Sequence, residues 1–358
     1  MRLTGFCFLF VVLVVFTGHA GATGLADDCE VAANLRLLDA WIESKLAYDD
    51  QPAMNIGIVY DQELIWAKSY GQADRENERS GSLDDIYLIA SQSKMFTALA
   101  VMKLRDEGKL RLDDPVEKHL PGFKIKNIFP NAPPITIRHL LTHTAGIPQE
   151  AALPYWTDFN FPEMEQVLGK LPEQETVYPS QTKWKYSNLG YTLAGEIVAL
   201  VSGMSYEDYI QRNILDPLGM TSTSVSFPEE RTGRLARGYG RRMPDGSREL
   251  MPFTDARGMA PCGGMSSTVG DMARFASWMI RLGVQGGDGN HQLLYSQGNA
   301  ARALAQAGLA EWLGTGVRNP PPSTARYRDA RRVGCRLQDE LLPKPRRKSG
   351  GNNHAECQ

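Results

Sequence analysis

Ser91-Gln92-Ser93-Lys94 opens an apolar run, and its ends are a primary alcohol and an amine three positions apart. On a helix that spacing puts both side chains on one face, with the serine at the positive N-terminal end and the lysine one turn on. An alcohol is a weak nucleophile at neutral pH, and a lysine kept neutral by burial is one means of taking its proton. The letters alone do not decide, because the pattern recurs at Ser180-Gln181-Thr182-Lys183. The residues downstream of each copy separate the two. Met95, Phe96, Leu99, Val101, Met102 and Leu104 come after Lys94 at helical spacing, and Gly108 closes the run. Lys183 leads into Trp184-Lys185-Tyr186-Ser187-Asn188, with no amphipathic helix begun at the serine. The competing reading of Ser91 is a plain helix N-cap.

Tyr186-x-Asn188 supplies further chemistry just ahead of a helical stretch that begins near Leu189. A phenol can share or relay a proton with an activated serine and lysine, and an asparagine amide can both hold the lysine and bind a substrate carbonyl. The competing reading is a loop tyrosine and an asparagine N-cap. Serine, lysine, tyrosine and asparagine together are what an acyl-transfer site without a histidine base needs.

Several elements must position these groups. Val31, Leu35, Leu38, Ile42 and Leu46 share one face of a helix over residues 27–46. Residues 55–60 and 63–70 are β-prone runs separated by Asp61-Gln62, a hairpin. A helix, a hairpin and then the Ser91 helix predict an α+β layer. Residues 95–280 read as mainly helical, with a helix over 189–201 stopped by Gly203 and another over 206–214 stopped near Pro217-Leu218-Gly219. A third, over 271–282, is capped by Asp271 and ended by Gly283.

Length and charge bound the remaining possibilities. The chain has 358 residues and a net charge of −2, which gives no support for a nucleic-acid partner or a polybasic membrane surface. Arg2, an apolar run from Phe6 to Phe16 and Ala20-Gly21-Ala22 read as a secretory signal peptide cut after Ala22, too short for a stable membrane anchor. The expected location is periplasmic or secreted. Cys29, Cys262, Cys335 and Cys357 would remain, too scattered for a disulfide scaffold, and no metal-ligand spacing occurs. No cofactor or metal is expected. From Ser296 onward composition changes: 11 Lys and Arg stand against 5 Asp and Glu, with no Ile, Phe or Met. That composition predicts a disordered tail.

Four segments carry a resemblance beyond the motifs: residues 108–116 (GKLRLDDPV), 135–147 (ITIRHLLTHTAGI), 186–191 (YSNLGY) and 263–268 (GGMSST). Over roughly residues 30–295 the chain resembles the serine hydrolases of class C β-lactamase and D-alanyl-D-alanine carboxypeptidase type, with their esterase-like relatives. The resemblance implies an antiparallel sheet flanked by helices, with an inserted mainly helical region. It also implies that Ser91 attacks an acyl carbon, that Lys94 and Tyr186 manage the proton, and that Asn188 positions substrate. The Ser91 N–H would be one oxyanion donor. His119, His139 and His143 are then structural. The substrate would be a β-lactam, a D-alanyl peptide or another peptidoglycan-like amide, or an ester.

The family's third element, Lys or His, then a small residue and Gly on a strand beside the site, is not visible. Gly314-Thr315-Gly316 lacks the cation, and Lys348-Ser349-Gly350 leaves no room for the strand and helix that should come after it. The expected organisation is a signal peptide (1–22), a hydrolase domain (23–295) lacking its C-terminal strands, and a tail (296–358) of the kind a changed reading frame would produce. A non-catalytic relative, or a peptidoglycan-binding module, is the alternative to an active hydrolase.

Overall fold

The computed structural model describes Leu25 and residues 28–285. The leader-like segment 1–22, the tail 296–358, Lys348-Ser349-Gly350 and the expected loss of C-terminal strands all lie outside the described residues. The chain begins with α1 (Cys29–Asp49), then the strands β1 (Ala53–Tyr60), β2 (Glu63–Asp74), β3 (Arg79–Ser80) and β4 (Tyr87–Leu88). A short 3-10 turn, Ala90–Gln92, leads directly into α2 (Ser93–Asp106). Then come α3 (Val116–His119), α4 (Ile137–Leu141), α5 (Tyr155–Asp158), α6 (Met164–Lys170) and α7 (Asn188–Ser202). The described part closes with α8 (Tyr206–Ile210), α9 (Asp216–Leu218), α10 (Ala260–Gly263), β5 (Ser266–Ser267) and α11 (Val269–Gln285).

The hairpin forms where the sequence predicts it, and β2 runs on to pair with β3 in an antiparallel order β1-β2-β3. Asp61 and Gln62 take φ of 42° and 74°. Two positive φ values make the turn whose twist matches the strands it joins. Helices cover both sheet faces. On the face of Lys68 and Tyr70, α1 docks through Asp39, which accepts from Lys68 Nζ at 2.6 Å and from Tyr70 OH at 2.7 Å. On the opposite face α11 comes close because Gly57 has no side chain: a Cβ there would lie 2.9 Å from Val269 Cγ2.

The core centres on α2. Every residue from Ser93 to Met102 is buried, as is Leu104, so this helix is enclosed on all sides. Phe96, Val101, Met102 and Leu104 each remove a large side chain from water, worth roughly 1.5–3 kcal/mol apiece. Phe96 meets Phe275 of α11 at a centroid distance of 4.6 Å, tying the helical region to the sheet layer.

Three boundaries differ from the sequence reading. The helix after Ser91 starts two residues later, at Ser93, and Ser91 sits in the preceding 3-10 turn without a capping bond from its side chain. The last helix begins at Val269 and passes through Gly283 to Gln285. Thr268 rather than Asp271 accepts at its start, from Asp271 N–H at 3.2 Å. The Asp271 carboxylate is spent elsewhere, on Ser222 N–H, Thr223 Oγ1 and Arg274. Finally, α7 is capped by Ser187, whose hydroxyl accepts from Gly190 N–H at 2.9 Å. Asn188 is therefore the first helical residue and not the cap, and its amide is free for other work. Among the described residues, no helix is long and apolar enough to cross a membrane.

Candidate active site

Ser91 is delivered by a strand and fixed by a helix. Tyr87 and Leu88 of β4 pair with Ser267 and Ser266 of β5, and Ile89 N–H continues the ladder to Met265 C=O at 2.9 Å. Ala90 then turns sharply, with φ of +46°, a conformation that disfavours a side chain and persists only when neighbours enforce it. Ser93 does so. Its hydroxyl donates to Ala90 C=O at 2.7 Å and accepts from Met265 N–H at 3.0 Å. The turn puts Ser91 at the positive end of the helical run.

Lys94 lies one turn along, 4% exposed. Its Nζ has three oxygen neighbours: Asn188 Oδ1 at 2.7 Å, the Cys262 carbonyl, and Ser91 Oγ at 3.3 Å. The Tyr186 and Tyr191 rings complete the enclosure at 4.8 and 5.7 Å. Burial pulls its pKa down from 10.5 to about 8, against the opposing pulls of Cys262 and Glu150. The geometry then dictates where a neutral amine would point. An amine has two hydrogens and one lone pair, and two of the three neighbours are carbonyl oxygens that only accept. The lone pair is left for the third neighbour, the Ser91 hydroxyl.

Asn188 is held in the orientation this requires. Its Nδ2 donates to Glu150 Oε1 at 2.7 Å, and because a carboxylate only accepts, Oδ1 must face Lys94. Glu150 is itself fixed by Tyr155 OH, which donates to Oε2 at 2.6 Å. One Asn188 amide hydrogen is therefore committed inside the protein.

Tyr186 approaches from the other side, its OH donating to Ser91 Oγ at 2.8 Å. Burial pushes its pKa up to about 12, so it rests as a phenol. The loop 142–146 sets its place. Lys185 N–H bonds His143 C=O at 2.7 Å, Ser187 N–H bonds His143 Nδ1 at 3.1 Å, and the His143 ring lies 4.6 Å from that of Tyr186. Burial drives the His143 pKa down to about 3, so this residue supports Tyr186 as a neutral, hydrogen-bonded wedge. His139 completes a capping box with Thr136, and His119 bonds Asp114. Gly146 permits the loop's close turn: with φ of +69°, a Cβ there would lie 2.1 Å from Tyr178 C=O.

The four residues read from sequence, Ser91, Lys94, Tyr186 and Asn188, thus meet in one hydrogen-bonded chain. Glu150 and the Cys262 carbonyl belong to the same chain, the Tyr191 ring packs over Lys94 beside it, and none of the three is marked in the sequence. Glu150 lies three residues beyond the Thr144-Ala145-Gly146-Ile147 stretch, and only the return of that loop onto α7 gives it meaning. The Cys262 contribution is a backbone atom, which no residue type announces. Among the described residues, no group of three or more His, Cys, Asp and Glu is placed to hold a metal ion.

A sheet covered by α1 and α11, with a buried helix running from a serine into an inserted helical region, is the β-lactamase/transpeptidase-like fold. The chain belongs to the β-lactamase family, whose sequence pattern matches residues 38–353 and so runs through the composition break at Ser296. It is similar to the octameric penicillin-binding protein homologue from Pyrococcus abyssi, with 34% identity and a TM-score of 0.60 over 69% of this chain and 56% of that one. A class C β-lactamase from Rhodobacter sphaeroides aligns with 25% identity and a TM-score of 0.55, over 75% and 68% of the two chains. Beta-lactamase-like protein 2 of Dictyostelium discoideum is 34% identical over 228 residues, 62% of this chain and 41% of that protein. The chain spans less than half the length of the curated relatives it matches.

Proposed function

We propose that this protein is a secreted or periplasmic serine hydrolase that forms an acyl-enzyme on Ser91, acting on a β-lactam, a D-alanyl peptide or an ester. The observation that carries the proposal is the buried lysine whose free lone pair can meet only the Ser91 hydroxyl. Ser91 Oγ attacks the acyl carbon while its proton passes to Lys94 Nζ. The C–O bond to Ser91 forms, and negative charge gathers on the former carbonyl oxygen. The Ser91 N–H, in the first turn of the helical run where N–H groups lack helical partners, is one donor for that oxyanion. Collapse expels the amine or alcohol, which takes a proton from Tyr186 OH, and Lys94 restores that proton. Water then repeats the sequence on the ester and frees Ser91.

The test is covalent labelling of purified protein by a fluorophosphonate or a fluorescent β-lactam, with the adduct located by peptide mass spectrometry. Label on Ser91, lost in Ser91→Ala, supports the proposal. Folded protein that stays unlabelled by both reagents favours a non-catalytic relative that uses the cleft for recognition alone.

A further inference from the structure

Glu150 has no part in the proton transfers above, yet it is a carboxylate two hydrogen bonds from the lysine that performs them. Its Oε1 accepts from Asn188 Nδ2 at 2.7 Å and from Gln149 Nε2 at 3.2 Å, and its Oε2 accepts from Tyr155 OH at 2.6 Å. All three partners are neutral, so the negative charge is not cancelled by a direct ion pair to a described residue. The side chain is only half-buried. A carboxylate has about four acceptor positions, and these bonds fill three.

We infer that Glu150 selects acyl donors bearing a free, protonated amino group on the acyl side, and disfavours those whose nitrogen is acylated. This rests on Ser91 being the nucleophile. A substrate carbonyl carbon at Ser91 Oγ carries its acyl-side substituents past Lys94 and Asn188 if they extend along this wall. There a primary ammonium finds the fourth acceptor position and a compensating charge, and such charge-assisted bonds are the strong ones. An amide carbonyl drawn to the second hydrogen of Asn188 Nδ2 would instead sit beside a carboxylate, where acceptor faces acceptor.

Charge at Glu150 also reaches the base. Glu150 favours the protonated form of Lys94, which cannot accept the Ser91 proton. An ammonium bound at Glu150 offsets that influence, so the substrate that fits best also favours the neutral lysine.

The experiment reads protection of Ser91 from a fluorophosphonate at pH 7 by alaninamide, by N-acetylalaninamide and by lactamide, in which a hydroxyl replaces the ammonium. Both enantiomers of each are used. The expected result is protection by alaninamide at concentrations at least about tenfold lower than either neutral analogue, and collapse of that preference in Glu150→Gln. Equal protection by the three ligands in the unaltered protein overturns the inference without needing the variant. So does a preference that survives Glu150→Gln. Failure of Ser91 to label at all instead marks failure of the underlying hydrolase reading, which separates the two outcomes.

Discussion

Ser91-Gln92-Ser93-Lys94 and Ser180-Gln181-Thr182-Lys183 differ by a single residue type, and the structure gives them opposite surroundings. In the first, a 3-10 turn running into α2 stacks serine and lysine on one face, and the lysine is sealed under two tyrosine rings. In the second, residues 180–182 form a turn. Ser180 Oγ is spent on Pro133 C=O at 2.6 Å, and exposed Lys183 lies over the Tyr178 ring at 4.7 Å. The difference teaches that the four letters are neutral. A lysine becomes a base when burial removes its water and its neighbours use up its hydrogens, and only the first copy has both.

The largest expected effects come from dismantling the first copy. Ser91→Ala should abolish acylation, and Lys94→Ala should slow it by about 10²–10⁴-fold, the range for removing proton-transfer catalysis, as read by the rate of label incorporation. Tyr186→Phe keeps the ring over Lys94 but removes the phenol, and should slow acylation by about 10²-fold. Near-normal rates in both would erase the distinction between the two copies.

A smaller effect tests the packing behind Lys94. Gly195 of α7 lies against α10, and a Cβ there would fall 2.2 Å from Pro261 Cγ. Gly195→Ala should cost about 1–3 kcal/mol by overpacking. It should also slow labelling, because Pro261 precedes the Cys262 carbonyl that holds Lys94. Thermal unfolding and labelling rate, measured together, check this, and a destabilised variant with an unchanged rate would detach the carbonyl from catalysis.

The smallest effects belong to the second copy. Ser180→Ala removes a buried hydrogen bond and should cost about 1 kcal/mol with no change in labelling rate. Lys183→Ala, at an exposed position, should stay within about 0.5 kcal/mol in a denaturant melt. A loss of acylation in either would make the two copies functionally alike.

Much of this contrast was legible in the sequence, because it rests on local periodicity. Ser91, Lys94, Tyr186, Asn188 and the hairpin around Asp61-Gln62 are all marked by spacing and by their immediate neighbours in the chain. Local sequence is silent where distant segments decide. The helix begins at Ser93 and not at Ser91 because Ala90 bends the chain first, and that bend is enforced by Ser93 together with Met265. Asp271 does not cap its helix because it is drawn to Ser222 and Thr223. The two-residue strands β3, β4 and β5 are too short to have a pattern of their own. Glu150 enters the site through loop closure and the Cys262 carbonyl through the packing of α10 on α2 and α7, and neither leaves a local signature.

The claim that Lys94 is the base is tested most directly by the pH dependence of Ser91 labelling. A base must be neutral to accept a proton, and burial sets the Lys94 pKa at about 8. The rate should therefore climb with pH, reach half its maximum near pH 8 and level off by pH 10. Tyr186, pushed up to about 12, remains a phenol throughout. A rate independent of pH between 6 and 10, or one still rising steeply at pH 10, would contradict the account.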